Sequence, residues 1–148
     1  MSQNVPVDVR PLETDAEIVD SLAVMKELRP HLTTAEAYLA TVRRMARDGG
    51  YRLVGAYVGG TLRAVAGYRL GESLAWGRFL YVDDLVTAGS QRSSGLGRAL
   101  CDWLRARARE AGCGQFHLDS GVQRHDAHRF YLRERMDIKS YHFQQELR

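Results

Sequence analysis

The stretch that decides the reading is YVDDLVTAGSQRSSGLGRAL, Tyr81 to Leu100. Its opening is rich in β-forming side chains and predicts a strand from about Phe79 to Val86. Small and polar residues, AGSQRSSG, then read as a loop, and LGRALCDWLRARAREAG reads as a helix. In that helix Leu96, Leu100, Trp103 and Leu104 fall on one face, arginines coat the other, and Gly112 supplies the stop. A strand that runs into a glycine-bearing loop at the start of a helix prepares an anion site. The first amides of a helix lack intrahelical partners and carry the positive end of its dipole. Gly95 and Gly97 let an anion approach the backbone, while Arg92, Ser93 and Ser94 add donors.

Outward from this stretch, VPVDV (residues 5–9) alternates and predicts a first strand. Thr14 and Asp15 offer N-caps for a helix through Ile18, Leu22 and Met25, ended by Pro30. Thr33 or Thr34 caps a second helix bearing Ala37, Leu39, Val42 and Met45, which Gly49-Gly50 stops. Strands follow near Tyr51–Tyr57 and Leu62–Arg69, with Gly59-Gly60 as the hairpin turn between them. Beyond the central stretch come a strand at Gln115–Asp119, a helix around Asp126–Arg135 and a last strand near Ile138–Gln145. Trp103, Phe130 and Phe143 read as core. An antiparallel meander followed by strand–helix–strand crossovers predicts an α/β fold. It has one mixed, mostly antiparallel sheet of about six strands with helices on both faces.

Bulk properties fit that plan. A chain of 148 residues with 45% hydrophobic and 26% charged residues suits a single globular domain spanning 1–148, with neither repeat nor linker. No apolar run reaches the ~20 residues of a membrane span, and MSQNVPVDVR lacks the apolar core of a signal peptide, so a cytoplasmic protein is expected. The formal charge of +3 comes from arginines spread along the chain, which argues against nucleic acid as a partner. Cys101 and Cys113 form neither a disulfide framework nor a metal site.

Two phosphate loops fail on this sequence. A Walker loop requires GxxxxGK[ST], and the loop 88–97 has no lysine; a dinucleotide fingerprint requires GxGxxG, but Ala99 and Leu100 follow Gly97. The segment Arg92-Ser93-Ser94-Gly95-Leu96-Gly97 does match [Q/R]-x-x-G-x-[G/A], the acetyl-CoA motif of the GNAT family, the GCN5-related N-acetyltransferases. DDLVT resembles that family's fourth strand, HRFYLRERM resembles its late tyrosine-bearing helix, and the order of elements agrees throughout.

The resemblance implies a GNAT-like fold splayed between strands 4 and 5, with acetyl-CoA as co-substrate and no metal. Pantetheine would bond to the backbone of Leu85, Val86 and Thr87. The pyrophosphate would rest on amides of Ser93, Ser94, Gly95, Leu96, Gly97 and Arg98, helped by Arg92. Tyr131 resembles the family's tyrosine acid, which protonates the CoA sulfur; packing beside Phe130 is its other reading. Acyl transfer to an amine needs the amine neutral, a donor for the oxyanion and a proton for the leaving thiolate. Asp83 occupies the place where relatives keep a carboxylate base. Asp84 adjoins it, and alternation predicts opposite faces for the two. Pairing with nearby arginines, or binding a cationic substrate, is the alternative for either carboxylate, since an unpaired buried charge is costly. His117 is an alternative base. Two positions depart from the family: Arg124 stands where relatives have an asparagine that contacts pantetheine, and could reach phosphate instead. Arg135-Met136 replaces a usual Gly-Phe.

The acceptor, a small-molecule or peptide amine, would be met by the first two helices, RPHLTT and GESLAWG, with His31, Tyr38, Glu72 and Trp76 as candidates. The resemblance also implies a homodimer, as many relatives are. Two rival readings are a non-catalytic acyl-CoA-binding module, because fold does not dictate activity, and a basic interaction protein using the helix Arg98–Arg109.

Overall fold

The computed structural model describes residues 6–91 and 94–148. The chain divides into two compact units, one ending at His117 and the other running Leu118–Arg148.

The first unit begins with β1 (Val7–Leu12), and Thr14 starts α1 (Asp15–Asp20) with a capping box. The Thr14 side chain accepts from Glu17 N–H (3.1 Å), and the Glu17 carboxylate accepts from Thr14 N–H (2.9 Å). The single helix predicted up to Pro30 is two helices, α1 and α2 (Leu22–Leu28), because the chain breaks at Ser21. The Ser21 hydroxyl bonds to Ile18 O (2.6 Å), where it competes with the helical ladder. Thr34 caps α3 (Ala35–Gly49), which Gly50 ends in the left-handed region.

β2 (Arg52–Val58) and β3 (Thr61–Ser73) form the predicted hairpin across Gly59-Gly60, and β4 (Gly77–Thr87) returns along β3. After a 3-10 turn at Gly89–Gln91, α4 (Leu96–Glu110) crosses to β5 (Gln115–Leu118). The sheet order is β1-β2-β3-β4-β5, with the first three pairs antiparallel. A crossover helix between neighbouring strands is the connection a parallel pair requires, which makes the sheet mixed.

Helices cover both faces. Ile18, Leu22, Met25, Tyr38 and Val42 from α1–α3 pack with Leu53, Val65 and Val86 of the sheet. On α4, Leu96, Leu100 and Leu104 are fully buried, as is Leu80 of β4. Each such leucine contributes about 1.5–3 kcal/mol on transfer from water.

The second unit holds α5 (His125–Arg133). Arg135 follows it with φ 64°, so this arginine occupies the left-handed position where the family motif has glycine. Residues 137–148 form no strand, contrary to the sixth strand predicted near Ile138–Gln145, and the described residues hold five strands. Phe143, read as core, is 91% exposed, and Ile138, Tyr141 and Leu147 are exposed with it. Alternation marks a segment that could present one apolar face. A strand also needs a neighbouring ladder, and the only helix or strand lying wholly within this unit is a helix.

Candidate functional site

The geometry of the site follows from a fault in the pairing of β3 with β4. Gly67 pairs with Asp84 and Tyr68 with Val82, so Asp83 is an extra residue, a β-bulge. Bulges reverse the alternation beyond them. Before this one, Leu80 and Val82 are buried; after it, Val86 joins the cluster under α1–α3. Asp84 is carried to that same side. The expectation that Asp83 and Asp84 face opposite ways fails for this reason, and one network holds both carboxylates.

Asp84 is fully engaged. Its Oδ1 accepts from Arg29 Nε (2.8 Å) and its Oδ2 from the Tyr51 hydroxyl (2.7 Å). Burial first, then the charge of Asp84, hold the Tyr51 hydroxyl well above the usual phenol range, so it remains a donor. The Tyr51 ring crosses Gly67 to reach its partner: a Cβ on Gly67 would lie 1.8 Å from the Tyr51 oxygen. Deeper in, Tyr38 and Ser21 share a hydroxyl–hydroxyl bond (2.7 Å), and burial raises the Tyr38 hydroxyl above its ordinary value.

Asp83 is only half engaged. Its Oδ2 accepts from Arg69 Nε (3.0 Å), whose guanidinium also lies over the Tyr51 ring, and its backbone carbonyl accepts from Arg29 (3.0 Å). Oδ1 is shielded from water and has no hydrogen-bond partner. Burial therefore pushes the Asp83 carboxyl above the usual carboxylate range, and Arg69 only partly offsets the shift. Arg29, Arg69 and Tyr51 were not singled out from sequence. The available signal was the doublet itself, because carboxylates in a covered strand require cationic or hydroxyl partners.

Leu85, Val86 and Thr87 complete β4 and pair with Ala66, Val65 and Ala64 on one edge. β5 starts where Gly114 N–H donates to Arg78 O (3.0 Å) and is four residues long. It is too short to run beside those last residues of β4. Gly95 stands at the N-cap of α4 with φ 86°, a conformation that disfavours any side chain, and as a glycine it brings no side chain of its own to cap the helix. Ser94 instead turns its hydroxyl to Gln91 O. Leu96 is buried, and Gly97 and Arg98 occupy the first turn of α4. Arg92 and Ser93 lie outside the described residues.

His117 stacks on Trp76 (ring centroids 3.6 Å apart, 14° between planes), and its Nε2 lies 2.6 Å from Gln115 Oε1. In the second unit, Tyr131 lies on α5, half-buried and edge-on to Phe130, and exposed Arg124 stands at that helix's N-cap. Among the described residues no group of His, Cys, Asp and Glu is placed to hold a metal ion, and no helix is long and apolar enough to cross a membrane.

Comparison with known proteins identifies the family. Residues 17–136 match the model of the acetyltransferase (GNAT) family. The chain is 36% identical over 138 residues to an uncharacterized N-acetyltransferase, YhdJ, of Bacillus subtilis, covering 93% of this chain and 96% of that protein. It is 39% identical over 62 residues to an aminoalkylphosphonate N-acetyltransferase of Salmonella typhimurium, which covers 42% of this chain and 39% of the relative. Its fold matches the aminoglycoside N-acetyltransferase AAC(6')-Iy, solved in complex with CoA, with a TM-score of 0.83 at 13% identity, covering 100% and 99% of the two chains. The chain belongs to the GNAT family and is an acetyl-CoA-dependent N-acetyltransferase.

Proposed function

We propose that this protein transfers the acetyl group of acetyl-CoA to the primary amine of a small molecule by direct attack, with Asp83 as base and Tyr131 as acid. The observation that carries the donor half is the start of α4, where Gly95, eight residues past the end of β4, stands at the N-cap in the left-handed region. Such a terminus suits a pyrophosphate, held by amides from Ser93 to Arg98 with Arg92 and Arg124 as charged helpers. Leu85, Val86 and Thr87 offer backbone to the pantetheine arm.

Asp83 supports the base assignment better than Asp84 does. Both oxygens of Asp84 are occupied, so its role is to position Arg29 and Tyr51. Asp83 keeps one oxygen unpaired, and the final torsion of an aspartate is soft enough to turn that oxygen toward an incoming ammonium. A carboxylate raised by burial also takes a proton more readily than an exposed one. Tyr131 would return a proton to the leaving thiolate. His117, stacked on Trp76, serves better as a wall of the acceptor side.

Calorimetric titration with acetyl-CoA, followed by detection of free CoA over a panel of amines, tests the reading. Binding with amine-dependent CoA release is expected, and Gly95→Glu should abolish binding by placing charge and bulk at the helix terminus. No binding at millimolar acetyl-CoA would overturn the assignment. Binding without release on any amine would favour a non-catalytic acyl-CoA module.

A further inference from the structure

The arginines around the β4 carboxylates do more than neutralise them. Arg29 reaches Asp83 at its carbonyl and Arg69 reaches it at its carboxylate, so two guanidiniums converge on one residue. The exposure within each ion pair is lopsided. The Arg29 side chain is 42% exposed against 12% for Asp84, and Arg69 is 32% exposed against 22% for Asp83. The covered side of the cluster is therefore carboxylate, and the side open to an entering molecule is guanidinium. Neither guanidinium is exhausted. Arg29 uses Nε and one terminal nitrogen, and Arg69 uses Nε and a long bond (3.4 Å) to Gly49 O. Each retains N–H donors in the planar fork that matches a carboxylate or phosphonate.

Charge completes the argument. Two aspartates and two arginines cancel, so an ammonium arriving at Asp83 leaves the cluster one positive charge in excess. A simple alkylamine also has to pass two cations to reach its base. Both difficulties disappear if the acceptor carries its own anion. Resting on Asp83 as the base, we infer that the acceptor is an amino acid in the broad sense, a primary amine joined by a short linker to a carboxylate or phosphonate. Arg29 and Arg69 hold its acidic group while its amine meets Asp83. Polyamines and other polycations would bring still more uncompensated positive charge to the same cluster.

The test is a series of amines matched in length: 2-aminoethylphosphonate, β-alanine, propylamine and ethylenediamine, each with acetyl-CoA. One or both acidic amines should show kcat/KM at least about tenfold above propylamine, the gain expected of hydrogen bonds to a charged group. The first two compounds distinguish phosphonate from carboxylate. Arg29→Gln and Arg69→Gln should each lose that preference, through KM for the acidic amine, with acetyl-CoA affinity unchanged. Where a variant fails to fold, by its melting curve, the series on the unaltered protein decides. Propylamine or ethylenediamine serving as well as the acidic amines overturns the inference. If no amine is acetylated although acetyl-CoA binds, the transfer reading fails separately. Titration of the CoA complex with the two acidic amines then decides this one, since binding that Arg69→Gln weakens supports it and absence of binding by both overturns it.

Discussion

Asp83, the proposed base, has its two oxygens in different surroundings. One is held by Arg69 and the other is dry and unpaired, which is why burial outweighs the arginine and lifts the carboxyl above its ordinary range. The proposed base works ionised, so under this assignment activity should fall as pH drops through that raised value. The acidic limb of kcat/KM should therefore lie above the range of an exposed aspartate. Asp83→Asn should lower kcat by roughly 10²–10⁴-fold, the usual contribution of a positioned base, and remove the limb. The same shift has a stability sign. A carboxyl whose folded pKa exceeds its unfolded one contributes stability that is complete below the unfolded pKa and lost as pH rises through the folded one. The stability of the native protein relative to Asp83→Asn should thus decline over that interval. Retention of both rate and limb in the variant would move the base elsewhere, with His117 next in line.

At the scale of elements, one inserted residue organises the site, and no sequence pattern announced it. The strand at Phe79–Val86, the hairpin at Gly59-Gly60, a cap at Thr33 or Thr34 and the α4 stripe were all legible, because each is written in local periodicity or turn chemistry. The bulge was not, since Asp83 is surplus only relative to β3, and pairing register is a relation between strands. That omission led to the wrong facing of the two aspartates. The break at Ser21 was hidden for a related reason, because the helical period continues across it while the serine hydroxyl finds a carbonyl and Tyr38. The tail beyond Asp137 shows the converse, a strand pattern without a ladder. Gly67 tests how the bulge and the network depend on each other. Its missing side chain leaves room for the Tyr51 ring over β3, opposite Asp84. Gly67→Ala should cost about 1–3 kcal/mol by overpacking, read from the urea midpoint. In a Tyr51→Ala background most of that cost should vanish, because the colliding atoms are gone. Strictly additive losses would mean that the ring is not what the glycine accommodates.

Over the whole molecule, burial is distributed unevenly between the two units. Every buried hydrophobic residue, from Leu12 to Ala108, belongs to the unit that ends at His117. Among the described residues of 118–148 none is buried, and α5 contributes no buried side chain. Resistance to opening follows buried apolar packing, so the two units should differ in protection. Native-state hydrogen exchange should find the amides of Val54, Val65 and Leu80 opening only with global unfolding. Those of α5 should exchange through local opening at a far smaller free energy, and the exposed residues after Asp137 should exchange fastest. This places the acid assigned to Tyr131 on a readily opened segment and the base assigned to Asp83 on the most protected strands. Global protection of α5 in the free protein would show that burial in the two units does not govern their stability. Protection of α5 that appears only with acetyl-CoA bound would show that the co-substrate orders the segment carrying its own acid.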